Sequence, residues 1–171
     1  MIEHRLIERL IAQIRTELDQ ITSAKRTDPV RIDTFVDFIK TYADRTHHGK
    51  EEDIYFKKLG EKPMSEEDSR VMDELIEEHR YGRKITGELV EANARYRDGD
   101  ANALSEISEK LKQLVAFYPG HIEKEDKVFF PNARSYFSDD DQRALLDAFY
   151  DFDRRMIHEK YEKVARKLKE S

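Results

Sequence analysis

The chain has 171 residues, 40% of them charged, with six Gly, four Pro and a formal net charge of −6. That length suits one domain with its own core, and the composition excludes a disordered or fibrous chain. An acidic balance without a basic stripe argues against nucleic acid as a partner, and the absence of Cys excludes disulfides, thiolate zinc sites, iron–sulfur clusters and covalently attached c-type haem.

No apolar run approaches the roughly 20 residues of a membrane span, and the N-terminal MIEHRLIERL lacks a signal peptide's apolar centre. A cytoplasmic protein with no membrane partner is expected. Any metal must be held by His and carboxylate.

Apolar residues recur at helical spacing almost throughout, without the alternation of a strand, and predict five helices. The first carries His4, Ile7, Ile11, Ile14, Leu18 and Ile21 on one stripe and fades before Thr27-Asp28-Pro29. Asp28 as N-cap with Pro29 in the first turn starts the second, which ends near Leu59 with Gly60 as its stop. Ser65 with Asp68 opens a third that runs to about Arg97. The fourth follows Asp98-Gly99-Asp100 to about Phe130, where Pro131 stops it. Ser138 with Asp141 opens the fifth, whose Leu145, Phe149, Phe152, Met156 and Val164 give it a buried side.

Short connections between long helices favour antiparallel neighbours. The expected fold is therefore all-α: an up-down-up-down four-helix bundle over about residues 2–131 with an additional C-terminal helix over about 139–169, in a single domain spanning 1–171.

Two segments carry one chemical signature: HGKEEDIYF at His48–Phe56 and HIEKEDKVF at His121–Phe129 place His, Glu, Asp and Phe at the same offsets. On a helix, His and the Glu four residues later share a face and can point at one metal. Depth agrees. Counted from a turn near residue 26, His4 and His48 each lie about 22 residues away; from one near 100, His79 and His121 lie about 21 away, so at about 1.5 Å per residue all four imidazoles fall in one layer.

The chain holds five His-xxx-Glu pairs, where composition alone gives roughly 0.7. His4–Glu8, His47–Glu51 and His158–Glu162 read equally well as solvated helix pairs worth a few tenths of a kcal/mol. The matched segments and the shared layer therefore carry the inference of a metal site. They select His48 and Glu52 and leave His47 and Glu51 as outer or solvent-facing groups.

One His in helix one, His-xxx-Glu in helix two, one His in helix three (EEHRYGR) and His-xxx-Glu in helix four resemble the hemerythrin-like, HHE cation-binding family. The resemblance implies a non-haem di-iron centre inside the bundle, with His4, His48, Glu52, His79, His121 and Glu125 as ligands. In the oxygen-carrying members the third helix supplies two histidines and the fourth ends its motif in Asp; here Arg83 follows His79 by four and the fourth-helix carboxylate is Glu125. His158 of the fifth helix could supply the missing imidazole, or could be a surface group paired with Glu162. With Glu52, Glu125 and a solvent-derived oxygen bridging two irons, five histidines divide three and two and leave one iron an open position.

A His-rich site holds ferrous iron more readily than a carboxylate-rich one, although zinc and manganese also accept these ligands. The expected function is binding or sensing of a small diatomic or peroxide ligand (O2, NO or peroxide). Turnover of peroxide or nitric oxide, iron handling, and an interaction module with a structural metal are the alternatives. Gly49, Gly82 and Gly120 lie beside the proposed ligands and suggest close approach there. Pro119 should kink helix four, and Tyr42, Phe56, Tyr118, Phe129 and Tyr161 are plausible linings.

Overall fold

A computed structural model describes residues 2–170. They form helix, with no strand among the described residues. Five rods follow in order: α1 (Ile2–Ala24), α2 (residues 29–59), α3 (Glu66–Arg97), α4 (residues 103–133) and α5 (Asp139–Glu170). α1 packs on α2 and α4, α2 on α3, and α3 on α4, which closes a four-membered ring of helices. None is long and apolar enough to cross a membrane.

Local chemistry sets the starts. Asp28 accepts from the Val30 N–H at 2.9 Å, with Pro29 in the first turn of α2. Ser65 Oγ accepts from the Asp68 N–H at 3.1 Å, and Ser138 and Asp141 cap each other reciprocally at the head of α5. α1 ends where Lys25 adopts φ 54°, its N–H on the Ile21 carbonyl at 3.0 Å, a left-handed cap more usual for Gly. Gly60, at φ −62°, needs no such freedom.

α2 and α4 depart from α geometry. α2 turns into π-helix over Ile39–His48 and again over Glu51–Phe56, and α4 does so over Glu125–Phe129. A π turn, with its i→i+5 hydrogen bonds, holds more residues than an α turn, so each residue rotates less about the axis. The buried positions of α2 follow suit: Ile39, Ala43, His47, Glu51 and Phe56 are spaced four, four, four and five apart. In α4 the Phe130 N–H reaches Glu125 O, and the rod continues past Pro131 to Ala133 and a 3-10 turn to Tyr136. Pro131 does not end it, because the proline sits in the first turn of the helical piece that restarts after the π segment, where a missing N–H is tolerated. Pro119 lies within unbroken α-helix, and the change of turn comes later, at Glu125.

Two apolar clusters fill the interior. The larger includes Ile14, Ile32, Leu89 and Leu111; the smaller, at the opposite end, includes Phe56, Leu59, Leu75, Phe129 and Phe137. Polar side chains occupy the layer between them. α5 packs along α2: Leu145 and Met156 are buried, Phe152 meets Gly49, and Lys50 pairs with Asp153 at 2.9 Å. Beyond Met156 its apolar residues are exposed, Val164 at 44% and Tyr161 at 66%, so the buried side expected at Val164 and the lining role expected for Tyr161 are not realised.

Candidate metal centre

Five imidazoles and two carboxylates converge between the clusters. His48, His79 and His121 offer nitrogens within 4.8 Å of one another, and so do His4, His47, Glu51 and Glu125 with their ligand atoms. All are buried. His48 and His79 stack at 3.9 Å between centroids, and Phe56 stacks on the far side of His79 at 5.9 Å.

The carboxylates join the groups. Glu125 Oε2 lies 3.1 Å from His4 Nε2, while Oε1 lies 3.4 Å from His121 Nε2 and 3.7 Å from His79 Nε2. Glu51 repeats the arrangement, Oε1 3.5 Å from His47 Nε2 and Oε2 3.4 Å from His79 Nε2. Each carboxylate thus presents one oxygen to the two-His side and the other to the three-His side.

The outer nitrogens are clamped in a cycle. Glu3 of α1 holds His47 Nδ1 of α2 at 3.0 Å; Glu52 of α2 holds His79 Nδ1 of α3 at 2.7 Å; Glu78 of α3 holds His121 Nδ1 of α4 at 2.8 Å; Asp126 of α4 holds His4 Nδ1 of α1 at 2.9 Å. Each clamp is the sequence neighbour of an inward-facing residue on its own helix. Behind them stand cations: Lys50 on Glu3, Arg83 on Glu52, Lys124 on Glu78 and Arg5 on Asp126. Burial pushes all four carboxyls up, but hydrogen bonds and charge from their imidazoles and, for Glu3, Glu52 and Glu78, from the cations outweigh it; Glu3 falls to about 2 and the other three below their ordinary values.

This places a hydrogen on each clamped Nδ1. An ionised carboxylate only accepts, so the four clamped Nδ1 atoms carry hydrogen, and the Nε2 atom of each ring is the one turned inward, able to bind a cation once it gives up any proton of its own. His4 Nε2 and His47 Nε2 face each other at 3.0 Å. The inner oxygens of Glu51 and Glu125 and the Nε2 atoms of His48, His79 and His121 are buried without hydrogen-bond partners. Cations between these atoms would satisfy them all. Burial and neighbouring Glu125 push Glu51 well above the usual carboxyl range; burial also raises Glu125, but His4 and His79 hold it well below. Burial and the adjacent imidazoles keep His48 well below the ordinary His value, in its neutral, metal-ready form.

His4, His48, His79, His121 and Glu125 meet in this layer. Glu52 does not: it is half-buried and faces His79 Nδ1 and Arg83, and its neighbour Glu51 takes the inner place. His158 lies exposed on α5, outside the layer, and His47 supplies the fifth imidazole. The inward turn of His47 and the exchange of Glu51 for Glu52 fall within the π turns of α2. Reduced rotation per residue lets the adjacent His47 and His48 face inward together, and shifts the inner carboxylate one residue earlier. The glycines serve ring packing: a Cβ on Gly49 would stand 3.0 Å from Phe152, one on Gly82 3.2 Å from Phe117, which stacks on His121 at 5.1 Å, while Gly120 is open.

Residues 1–133 match the family model described as hemerythrin HHE cation binding domain. The chain belongs to the hemerythrin HHE family. That match ends just before α5, so the matched residues span α1–α4 and include every member of the converging layer. No curated protein and no solved structure gives a significant match. As a hemerythrin HHE domain with buried His and Glu groups able to hold metal, the chain is a cation-binding helical bundle.

Proposed function

We propose that this is a cytoplasmic non-haem di-iron protein that binds or senses a small ligand, O2, NO or peroxide, at an open iron position. The observation that carries this is the pair of carboxylates, Glu51 and Glu125, each reaching both imidazole groups. One iron would take His4 and His47, the other His48, His79 and His121, with both carboxylates shared. The donor set of neutral imidazole with two carboxylates suits ferrous iron. Bound there, a pair of irons supplies reversible electron donation to a small oxidant.

Ligand number makes the two sides unequal. Two shared carboxylates with two imidazoles give four protein ligands, against five on the other side. Exogenous ligand is therefore favoured at the His4/His47 side. A cavity of about 420 Å3 borders His47 and Glu51 on that side, and a smaller one of about 220 Å3 reaches His48. The clamps hold the imidazoles in aim, and the apolar clusters exclude bulk water. With a net charge of −6, nucleic acid is no part of the proposal.

Anaerobic titration with ferrous iron tests it: uptake should stop at about two ions per chain, and air or nitric oxide should change the optical spectrum. Reversal on removing the gas supports binding or sensing. Steady peroxide consumption with iron retained would shift the function to an enzyme. Tight uptake of one zinc alone, with no response to ferrous iron, would overturn the di-iron proposal.

A further inference from the structure

α5 lies outside the family match, yet it lines the cavity that borders His47 and Glu51. Leu145, Leu146 and Phe149 of α5 line, together with Tyr55, Phe130 and Phe137, an open cleft of about 420 Å3. That lies within the roughly 300–1,000 Å3 of small-molecule sites and far exceeds the about 30 Å3 taken by a water-sized molecule. The wall is mainly apolar and aromatic, which a diatomic gas does not require.

Its charged groups are unequally matched. Glu3 pairs with Lys50 and His47, and Asp126 with Arg5 and His4. Glu51 belongs to the buried layer at the inner end. Arg134, exposed at the rim, donates from Nε to Gln142 Oε1 at 3.1 Å, and no carboxylate among the described residues pairs with its guanidinium. The cavity therefore combines an apolar interior with one unneutralised cation and a neutral amide at its mouth.

From this combination we propose that the α5 cavity binds an apolar monocarboxylate of fatty-acid type, its carboxylate on Arg134 and its chain along Tyr55, Phe137, Leu145 and Phe149. Guanidinium matches carboxylate in a planar, two-bond geometry. Each methylene taken from water into the cavity should tighten binding by up to about fourfold until the space is filled. The bound chain would end beside His47 and Glu51 and would place an organic ligand next to the more open metal side. Binding itself needs no metal, so this inference and the di-iron proposal stand or fall separately.

Calorimetric titration of the full metal-free chain with hexanoate, octanoate and octan-1-ol tests it, alongside Arg134→Gln and Leu146→Trp. Both substituted residues are exposed, so the fold should tolerate the changes. Octanoate should bind one to one with Kd below about 1 mM and more tightly than hexanoate. Arg134→Gln should weaken octanoate roughly tenfold and leave octan-1-ol within about twofold, and Leu146→Trp should weaken both. Absence of saturable octanoate binding would overturn the inference, as would an Arg134→Gln variant that binds octanoate like the parent. A dimer covering the cavity, seen by sedimentation and not dissociated by octanoate, would also overturn it.

Discussion

Arg83 and Glu52 meet at 2.5 Å, Nη2 to Oε1, and the same carboxylate oxygen accepts Nδ1–H of His79 at 2.7 Å. Arg83 Nε also donates to Asp44 at 2.7 Å, and Asp44 stands 3.7 Å from His48 Nδ1. One guanidinium therefore holds the clamp on His79 and the carboxylate that stands beside His48, both imidazoles of the three-His group. Arg83→Gln should lower affinity for one metal equivalent by roughly 10–100-fold and leave the other little changed. Stepwise metal titration reads this directly; equal weakening of both equivalents would contradict it.

Glu51 and Glu52 are adjacent in sequence but differ in task. Glu51 presents both oxygens to the imidazole groups, whereas Glu52 holds one imidazole from outside. Glu51→Gln should abolish binding of the metal pair. Glu52→Gln should retain it with affinity reduced roughly 10–100-fold, and His158→Ala should change neither stoichiometry nor spectrum. Elemental analysis and titration of the three variants separate these outcomes.

Glu3 makes stability depend on pH. Burial raises its pKa, but hydrogen bonds from His47 and Lys50 bring it from 4.5 to about 2. A carboxyl depressed by folding contributes stability that is complete above pH 4.5 and is lost as pH falls towards 2. In the metal-free protein, Glu3→Gln should therefore lower the urea midpoint near neutrality, and its gap from the parent should close as pH falls through that window. A constant gap across the range would remove the charge from the explanation.

Gly49 admits α5. A Cβ there would stand 3.0 Å from the Phe152 ring, so Gly49→Leu should push α5 from α2. Overpacking of this kind costs about 1–3 kcal/mol. Limited proteolysis should cut within residues 139–156 faster than in the parent; unchanged protection of that segment would show that Phe152 moves aside freely.

Much of this organisation is legible in the sequence, and the gaps have a common physical origin. Asp28, Ser65 and Ser138 announce helix starts because their side chains accept specific backbone N–H groups. Equal counts from the turns bring His4, His48, His79 and His121 to one depth, since rise per residue hardly depends on side chains. Face is different. It depends on rotation per residue, and an α period carried through Ile39–His48 and Glu51–Phe56 puts Glu52 inside and Glu51 outside, the reverse of their positions in the π turns. His47 turns into the layer for the same reason. The matched segments HGKEEDIYF and HIEKEDKVF favour the α reading, because their likeness in spacing hides a difference in how the two rods wind.

The cycle of outer carboxylates leaves a fainter trace. Glu3 precedes His4, Glu78 precedes His79, Glu52 follows Glu51 and Asp126 follows Glu125. In a sequence so rich in acid, such neighbours are unremarkable until the helices are assembled. Only then does each clamp reach the imidazole of the next rod.

Anomalous diffraction at the iron edge, from crystals loaded with ferrous salt without oxygen, tests the two-ion centre most directly. Two peaks roughly 3.5–4 Å apart are expected, one against His4 and His47, the other against His48, His79 and His121, with Glu51 and Glu125 touching both. A single peak, or a pair bridged by Glu52 with Glu51 turned away, would contradict it.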